Sequence, residues 1–462
     1  MTPAMSHPEV VVSRRRWTEL AMLVFAVLIV VLAYAEVGLA HSGTVPTDLL
    51  YYGLGLGGLF LAAHLAVRFL APYADPTILP IVALLNGLGL VLIHRLDLAS
   101  ADRAKRSGNP IPSGDAKAQL AWTAIGIVLF LAVLLIVRDH RRLQRFTYTA
   151  MLAGLVLLAL PAVLGKSVNG AKIWLRFAGF SLQPAELAKV VLIIFFSGYL
   201  VAKREVLALA GRRVLGIDLP RGRDLGPIVV AWVFSLGVLV FERDLGTSLL
   251  FFGVFVALLY VATERVSWLL MGLLMFVAGA FVAYHLFGHV RERVDIWLHP
   301  FRYAQTQGYQ LVQGLYGFAT GGILGTGLGS GHPDFVPYAK TDFISATVGE
   351  ELGLTGLMAI LLLYGLLVQR GLRAGIAVRD SFGKLLATGL AFSIALQVFV
   401  VVGGVMRLIP LTGLTTPFLS YGGSSLVANW MIIALLMRVS DIARRPPPPP
   451  VPTDETTQVV RL

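Results

Sequence analysis

Three short stretches carry ionisable side chains at spacings that could bind a phosphate or move a proton. In Gln183-Pro184-Ala185-Glu186-Leu187-Ala188-Lys189, Pro184 suits the first position of a helix, where its missing amide proton would be unpaired anyway. Glu186 then falls in the first turn, where the helix dipole favours an anion. Lys189 follows three residues on, so the two share a face. They are either an internal ion pair joining helices or a cation presented to a phosphate or pyrophosphate, and spacing leaves both open. Glu242-Arg243-Asp244-Leu245-Gly246-Thr247 puts three charges into one connection between apolar runs; these are ordinary interfacial charges or they face a polar cavity. Lys340-Thr341-Asp342 opens a further apolar run that carries Glu350, roughly 12 Å deeper at about 1.5 Å per residue. Asp342 is either a helix N-cap or a partly desolvated carboxylate whose raised pKa suits a general base. Lys340 beside it would tune that pKa downward or bind an anionic leaving group.

Other chemistry is excluded. Gly321-Gly322-Ile323-Leu324-Gly325-Thr326-Gly327-Leu328-Gly329 lacks the Gly-Lys-Ser/Thr ending of a phosphate-binding loop, and is expected to serve close packing or loop movement. His285, His289, His299 and His332 have no metal-ligand spacing, and no metal is assigned. With no cysteine in the chain, disulfides and thiolate nucleophiles drop out.

The elements that must position these groups are membrane helices. Of 462 residues 56% are hydrophobic and 14% charged, with a mean hydropathy of +0.77. A soluble domain keeps roughly a quarter of its residues charged, so lipid must cover the apolar surface here. Twelve apolar segments read as spans of a roughly 30 Å hydrocarbon core, among them Trp17–Leu39, Asp48–Leu70, Pro227–Val240, Phe343–Val368 and Ser420–Met437. The fold expected is an all-α polytopic helical bundle. The first span follows Arg14-Arg15-Arg16 and lacks a clear cleavage site, which marks a retained signal anchor.

The net charge of +12 orients helices rather than binding nucleic acid. Arg138 to Arg145, Lys203 to Arg223, Arg370 to Lys384 and Arg438 to Arg445 all fall on the side of the N-terminus. The positive-inside rule then places both termini in the cytoplasm and the long loop 287–342 outside. The connection from Arg95 to Lys117 dissents, because it holds Arg103, Lys105 and Arg106 yet is placed outside. Pro446 to Pro450 open a disordered tail. Residues 1–77 are thus an extension with two extra spans, 78–440 a core, and 441–462 a cytoplasmic tail.

The chain resembles the SEDS family (shape, elongation, division and sporulation) through an ordered set of motifs. These are Lys166-Ser167-Val168-Asn169-Gly170-Ala171-Lys172-Ile173-Trp174, Gln183-Pro184-Ala185-Glu186, Asp244-Leu245-Gly246-Thr247, Gly308-Tyr309-Gln310, Thr341-Asp342-Phe343-Ile344, Gly349-Glu350-Glu351-Leu352-Gly353, Leu411-Thr412-Gly413-Leu414-Thr415 and Pro417-Phe418-Leu419-Ser420-Tyr421-Gly422-Gly423-Ser424-Ser425. Phe241-Glu242-Arg243-Asp244 and Gly329-Ser330-Gly331-His332-Pro333-Asp334 look like the actinobacterial RodA branch rather than the FtsW branch. Ile173 and Gly314 depart from the arginine and serine usual in the family.

The resemblance implies ten core spans after the two extra ones. It also implies an inverting glycosyltransferase that polymerises lipid II, the undecaprenyl-pyrophosphate-linked disaccharide-pentapeptide, at the outer face of the cytoplasmic membrane. Asp342 matches the family's essential aspartate. Lys172, Lys189, Arg243 and Lys340 become candidates to offset phosphate charge, and Trp174, Glu186, Asp244, Gln310, Thr341, Glu350, Ser420, Tyr421 and Ser424 candidates for the substrate site. A class B penicillin-binding protein is the implied partner. A divalent cation on the pyrophosphate is left open. The competing readings are a lipid flippase, since buried Glu186, Lys189 and Glu350 also suit a transporter, and a non-catalytic scaffold for the transpeptidase.

Overall fold

The computed structural model describes residues 14–446, apart from 169–170, 178–179, 208–209, 215–216, 221–225, 227–228, 231, 235–236 and 239–243. Helices dominate because lipid offers backbone groups no hydrogen-bond partner, and an α-helix satisfies them internally. Among the described residues eleven helices are long and apolar enough to cross a membrane. They match eleven of the twelve expected segments; the twelfth, Pro227–Val240, falls partly outside the described residues. In order they are α1 (Arg16–Ser42), α2 (Leu49–Leu70), α3 (Ile78–Arg106), α4 (Asp115–Ile136), α5 (Thr147–Leu164, led in by a 3-10 turn), α6 (Pro184–Leu207), α7 (Leu245–Thr263), α8 (Val266–Leu286), α12 (Gly353–Ala377), α13 (Ser381–Val405) and α14 (Gly423–Arg444).

The bundle is built around α3, α13 and α14, while α1, α2 and α8 turn leucine and phenylalanine outward. Trp430 of α14 is the hub. Its ring lies 5.5 Å from Phe130 of α4, 5.9 Å from Phe418 and 6.3 Å from Phe60 of α2. The close approach of α4 requires Gly126, whose added Cβ would lie 2.5 Å from the indole. The first two helices are packed into the bundle, α2 through Phe60 and α1 against α3. Glu19 joins them to each other, accepting from Arg16 at 2.5 Å and lying 2.7 Å from His64 of α2.

Several connections expected to be loops are folded. The polar stretch before α6 is an antiparallel sheet, β1 (Lys166–Val168), β2 (Ala171–Phe177) and β3 (Phe180–Leu182) in that order. A second hairpin, β4 (Ala210–Val214) with β5 (Ile217–Pro220), follows α6. The long loop 287–342 contains α9 (Gly288–Leu298) and α10 (Tyr309–Gly321). α3 runs on into the connection expected from Arg95 to Lys117, as far as Arg106.

One expected span is corrected. Phe343–Val368 is not a single helix: α11 (Ile344–Glu351) stops at Leu352, and α12 restarts at Gly353 with φ +67. The glycine run crosses this break. Thr326 and Gly327 donate to the carbonyls of Glu350 and Glu351, both at 3.0 Å, and Leu354 donates to Gly322 at 2.9 Å. Close packing is what Gly321, Gly325 and Gly329 serve, since a Cβ at each would meet a neighbouring segment within 3 Å. Gly325 has φ +84, and a Cβ there would sit 2.2 Å from the Glu351 carbonyl oxygen. Gly325→Ala is accordingly expected to lower stability by more than about 1 kcal/mol, read as a reduced thermal unfolding midpoint in detergent.

Candidate active site

Asp342 ends a tight turn that is held from several sides. Tyr338 opens it with φ +55, a left-handed conformation that disfavours a residue with a Cβ. Thr341 N donates to the Tyr338 carbonyl at 3.0 Å. Gln310 of α10 reaches the Pro337 carbonyl at 3.1 Å. From the segment before α14, Tyr421 N donates to the Lys340 carbonyl at 2.7 Å, and the Ser420 hydroxyl donates to the Thr341 carbonyl. Pro337, Tyr338, Lys340 and Thr341, four of the five residues leading into Asp342, are thus tied down by their backbone.

The cap alternative fails. The N-cap of α11 is Phe343, with no side-chain cap bond. Asp342 instead lies half-buried, with its Oδ1 2.9 Å from the Thr341 hydroxyl, whose proton is shared with the Tyr338 carbonyl at 3.0 Å. Burial raises its pKa, and the Thr341 bond, its own backbone amide and the charge of Arg293 pull the other way without cancelling it.

Arg293, on α9, is the residue sequence reading missed. It acts electrostatically on both Asp342 and Asp244 and anchors one guanidinium nitrogen on the Leu411 carbonyl at 2.7 Å. Its only sequence signal was a basic residue in a loop expected to be long and irregular. Beside it, Val290 and Val294 of α9, Leu245 and Ser248 of α7, Pro410 and Thr412 help to line an apolar groove of about 260 Å³.

The remaining candidates separate into groups. Glu186 and Lys189 form an ion pair at 2.8 Å, with Lys189 only 2% exposed and also 2.8 Å from Gln397 Oε1 of α13. Gln397 passes the connection on to the Thr415 carbonyl at 2.8 Å. Asp244 caps α7, accepting from Thr247 N at 2.9 Å and Thr247 Oγ1 at 2.6 Å, and it feels the charge of Glu186. Ser424 accepts from Gln183 N at 2.8 Å, which joins the start of α14 to the start of α6.

One expectation changes. Lys340 neither tunes Asp342 nor stands free for an anion: its ammonium lies 2.5 Å from Asp97 and 2.8 Å from Asp115. Glu350 is buried, accepts from His332 N at 2.6 Å and sits against Gly317 and Gly331. Glu351 is paired with Arg95 at 2.9 Å and accepts from Gly329 N at 3.1 Å. Trp174 is half-buried on β2. Lys172 lies on the same strand with its side chain outside the described part, and Arg243 lies outside the described residues. Among the described residues no group of three or more His, Asp or Glu side chains could hold a metal ion.

The family model FTSW_RODA_SPOVE, described as cell cycle protein, matches residues 76–445. This chain belongs to the FtsW/RodA/SpoVE family. Peptidoglycan glycosyltransferase RodA of Mycobacterium tuberculosis is 56% identical over 435 residues, covering 94% of this chain and 92% of that protein. The RodA of Mycobacterium leprae is 54% identical over 432 residues, with the same coverage of both chains. These names agree with the RodA branch read from the motifs. Among solved structures, a chain of a peptidoglycan synthase complex that coordinates polymerization and crosslinking superposes with a TM-score of 0.62 at 29% identity, covering 79% of this chain and 97% of its own. The family match begins at residue 76, just before α3.

The Glu186–Lys189 pair now has a testable structural role. Lys189→Met leaves a buried carboxylate without its partner and is expected to cost roughly 3–5 kcal/mol. Glu186→Gln combined with Lys189→Met should recover most of that loss, read from unfolding midpoints of the purified variants.

Proposed function

We propose that this chain is a peptidoglycan glycosyltransferase that polymerises lipid II, with Asp342 as the general base. The observation that carries the reading is an uncapped, half-buried aspartate with a raised pKa on a turn held by hydrogen bonds, under the charge of an arginine whose own helix helps to line an apolar groove. The relatives named RodA supply the reaction class.

In this mechanism the acceptor sugar's 4-hydroxyl gives its proton to the Asp342 carboxylate as its oxygen attacks the donor's anomeric carbon. The new bond forms as the bond from that carbon to the pyrophosphate oxygen breaks, and the electron pair leaves with the undecaprenyl pyrophosphate. A single displacement inverts the α-linked donor into a β-linked strand. The leaving group is already good, so a base and electrostatic stabilisation suffice. Arg293 takes the stabilising role in place of Lys189 and Lys340, whose charges are engaged elsewhere. The groove beside it accommodates part of a lipid tail, which holds the reacting headgroup at the membrane edge.

Asp342 faces the outside and both termini the cytoplasm. The dissenting connection after Arg95 weighs less against this because part of its charge is paired. Arg95 meets Glu351, Arg103 meets Asp334 at 2.6 Å, and Lys105 lies 4.0 Å from Asp102. These pairs offset Arg103 and Lys105 and leave Arg106 as the basic residue that dissents. The likeness to a chain of a synthase complex supports a class B penicillin-binding protein as the partner that crosslinks the product.

Asp342→Asn is expected to lower strand synthesis from purified lipid II by about 10²–10⁴-fold, the range a positioned general base contributes. Its unfolding midpoint should not fall, because a carboxylate whose folded pKa is raised costs stability once it ionises. Wild-type polymer from this variant would overturn the base assignment. Lipid translocation without polymer from the wild type would instead identify a flippase.

A further inference from the structure

Two acidic residues at the same end of the bundle have no part in the mechanism above. Asp97 lies on α3 and Asp115 opens α4, on either side of the connection between those helices. Lys340 brings them together. Its ammonium lies 2.5 Å from Asp97 Oδ1 and 2.8 Å from Asp115 Oδ2. Asp97 uses its other oxygen on the amide of Ala116, at 2.8 Å, and so fixes the first turn of α4 against α3. Tyr421 completes the group: its phenol lies within the field of Asp115 and Lys340, and its amide holds the Lys340 carbonyl at 2.7 Å. Burial disfavours the lysine's charge, but the bonds from Asp115 and Asp97 outweigh it and raise its pKa. Lys340 is therefore held by both its side chain and its backbone.

This matters because Lys340 stands two residues before Asp342, in a turn whose left-handed Tyr338 would relax if released. The Gln310, Ser420 and Tyr421 bonds hold backbone carbonyls of the turn rather than its side chains. The anchored Lys340 side chain adds a hold of that second kind. We propose that Asp97 and Asp115 are positioning residues, which clamp Lys340 across the α3–α4 junction and thereby aim the Asp342 carboxylate at the acceptor hydroxyl. The proposal rests on Asp342 being the base.

Partly exposed ion pairs add little to stability, so Asp97→Asn and Asp115→Asn are expected to fold. Misplacement of a reacting group by about 1 Å costs as much as roughly 10²-fold in rate. Each single variant should therefore lose roughly tenfold or more in kcat for polymerisation of purified lipid II, with KM within about twofold of wild type. Asp97→Glu should retain more activity than Asp97→Asn. The decisive variant exchanges the charges, Lys340→Asp with Asp115→Lys, which keeps one ammonium between two carboxylates. It should recover most of the kcat that Asp115→Asn loses. If a single variant fails to fold, the exchanged pair alone decides. A folded exchanged pair as slow as Asp115→Asn, or an effect confined to KM, would overturn the proposal. Asp342→Asn is assayed in parallel, and wild-type rates from it would show that the base assignment had failed instead.

Discussion

The site depends on keeping one carboxylate partly dry without giving it a helix to cap. A dehydrated aspartate gains basicity but loses the solvation that would hold it in place, so the surrounding backbone must hold it instead. Here α10, the segment before α14, and the α3–α4 junction each fix the turn from a different direction, through Gln310, through Ser420 and Tyr421, and through Asp97 and Asp115. The turn is short and includes a strained residue, which persists only where its surroundings over-determine it.

The other charges in the bundle show the opposite use of burial. Glu186–Lys189–Gln397 and Arg95–Glu351 are each closed by hydrogen bonds, and Arg16–Glu19–His64 is closed on every side but His64 Nε2, which has no partner among the described residues. Removing one member would strand another, which is why such groups hold a bundle together but make poor reactants. Arg293 differs because it is shared between Asp342 and Asp244 and spends one nitrogen on a backbone carbonyl. An arginine in that position retains donors for an anionic substrate.

Much of this was legible in the sequence. Hydropathy gave the class, and α1, α2 and most later spans lie close to where apolar length put them. Glu186 and Lys189 were correctly expected to share a face, but their spacing could not reveal Gln397, a partner 208 residues away. Lys340 was misread for the same reason: its neighbour in sequence is Asp342, whereas its neighbours in space are on α3 and α4. The break between α11 and α12 was hidden because Phe343–Val368 is apolar enough to span, and only the glycine run crossing it creates the need for Gly353. Arg293 lay in a segment whose polar composition gave no periodic signal strong enough to mark α9. The chemistry itself came from the ordered motifs, since spacing alone left Asp342 between a cap and a base.

The most direct test is the pH dependence of kcat/KM for lipid II polymerisation. A base whose pKa is raised by burial must lose activity as pH falls through that raised value, so the acid limb should lie clearly above the ordinary aspartate range near 4. Because Arg293 opposes the shift, Arg293→Gln should move the limb further up. An acid limb at the ordinary carboxylate value, unmoved by Arg293→Gln, would contradict the account.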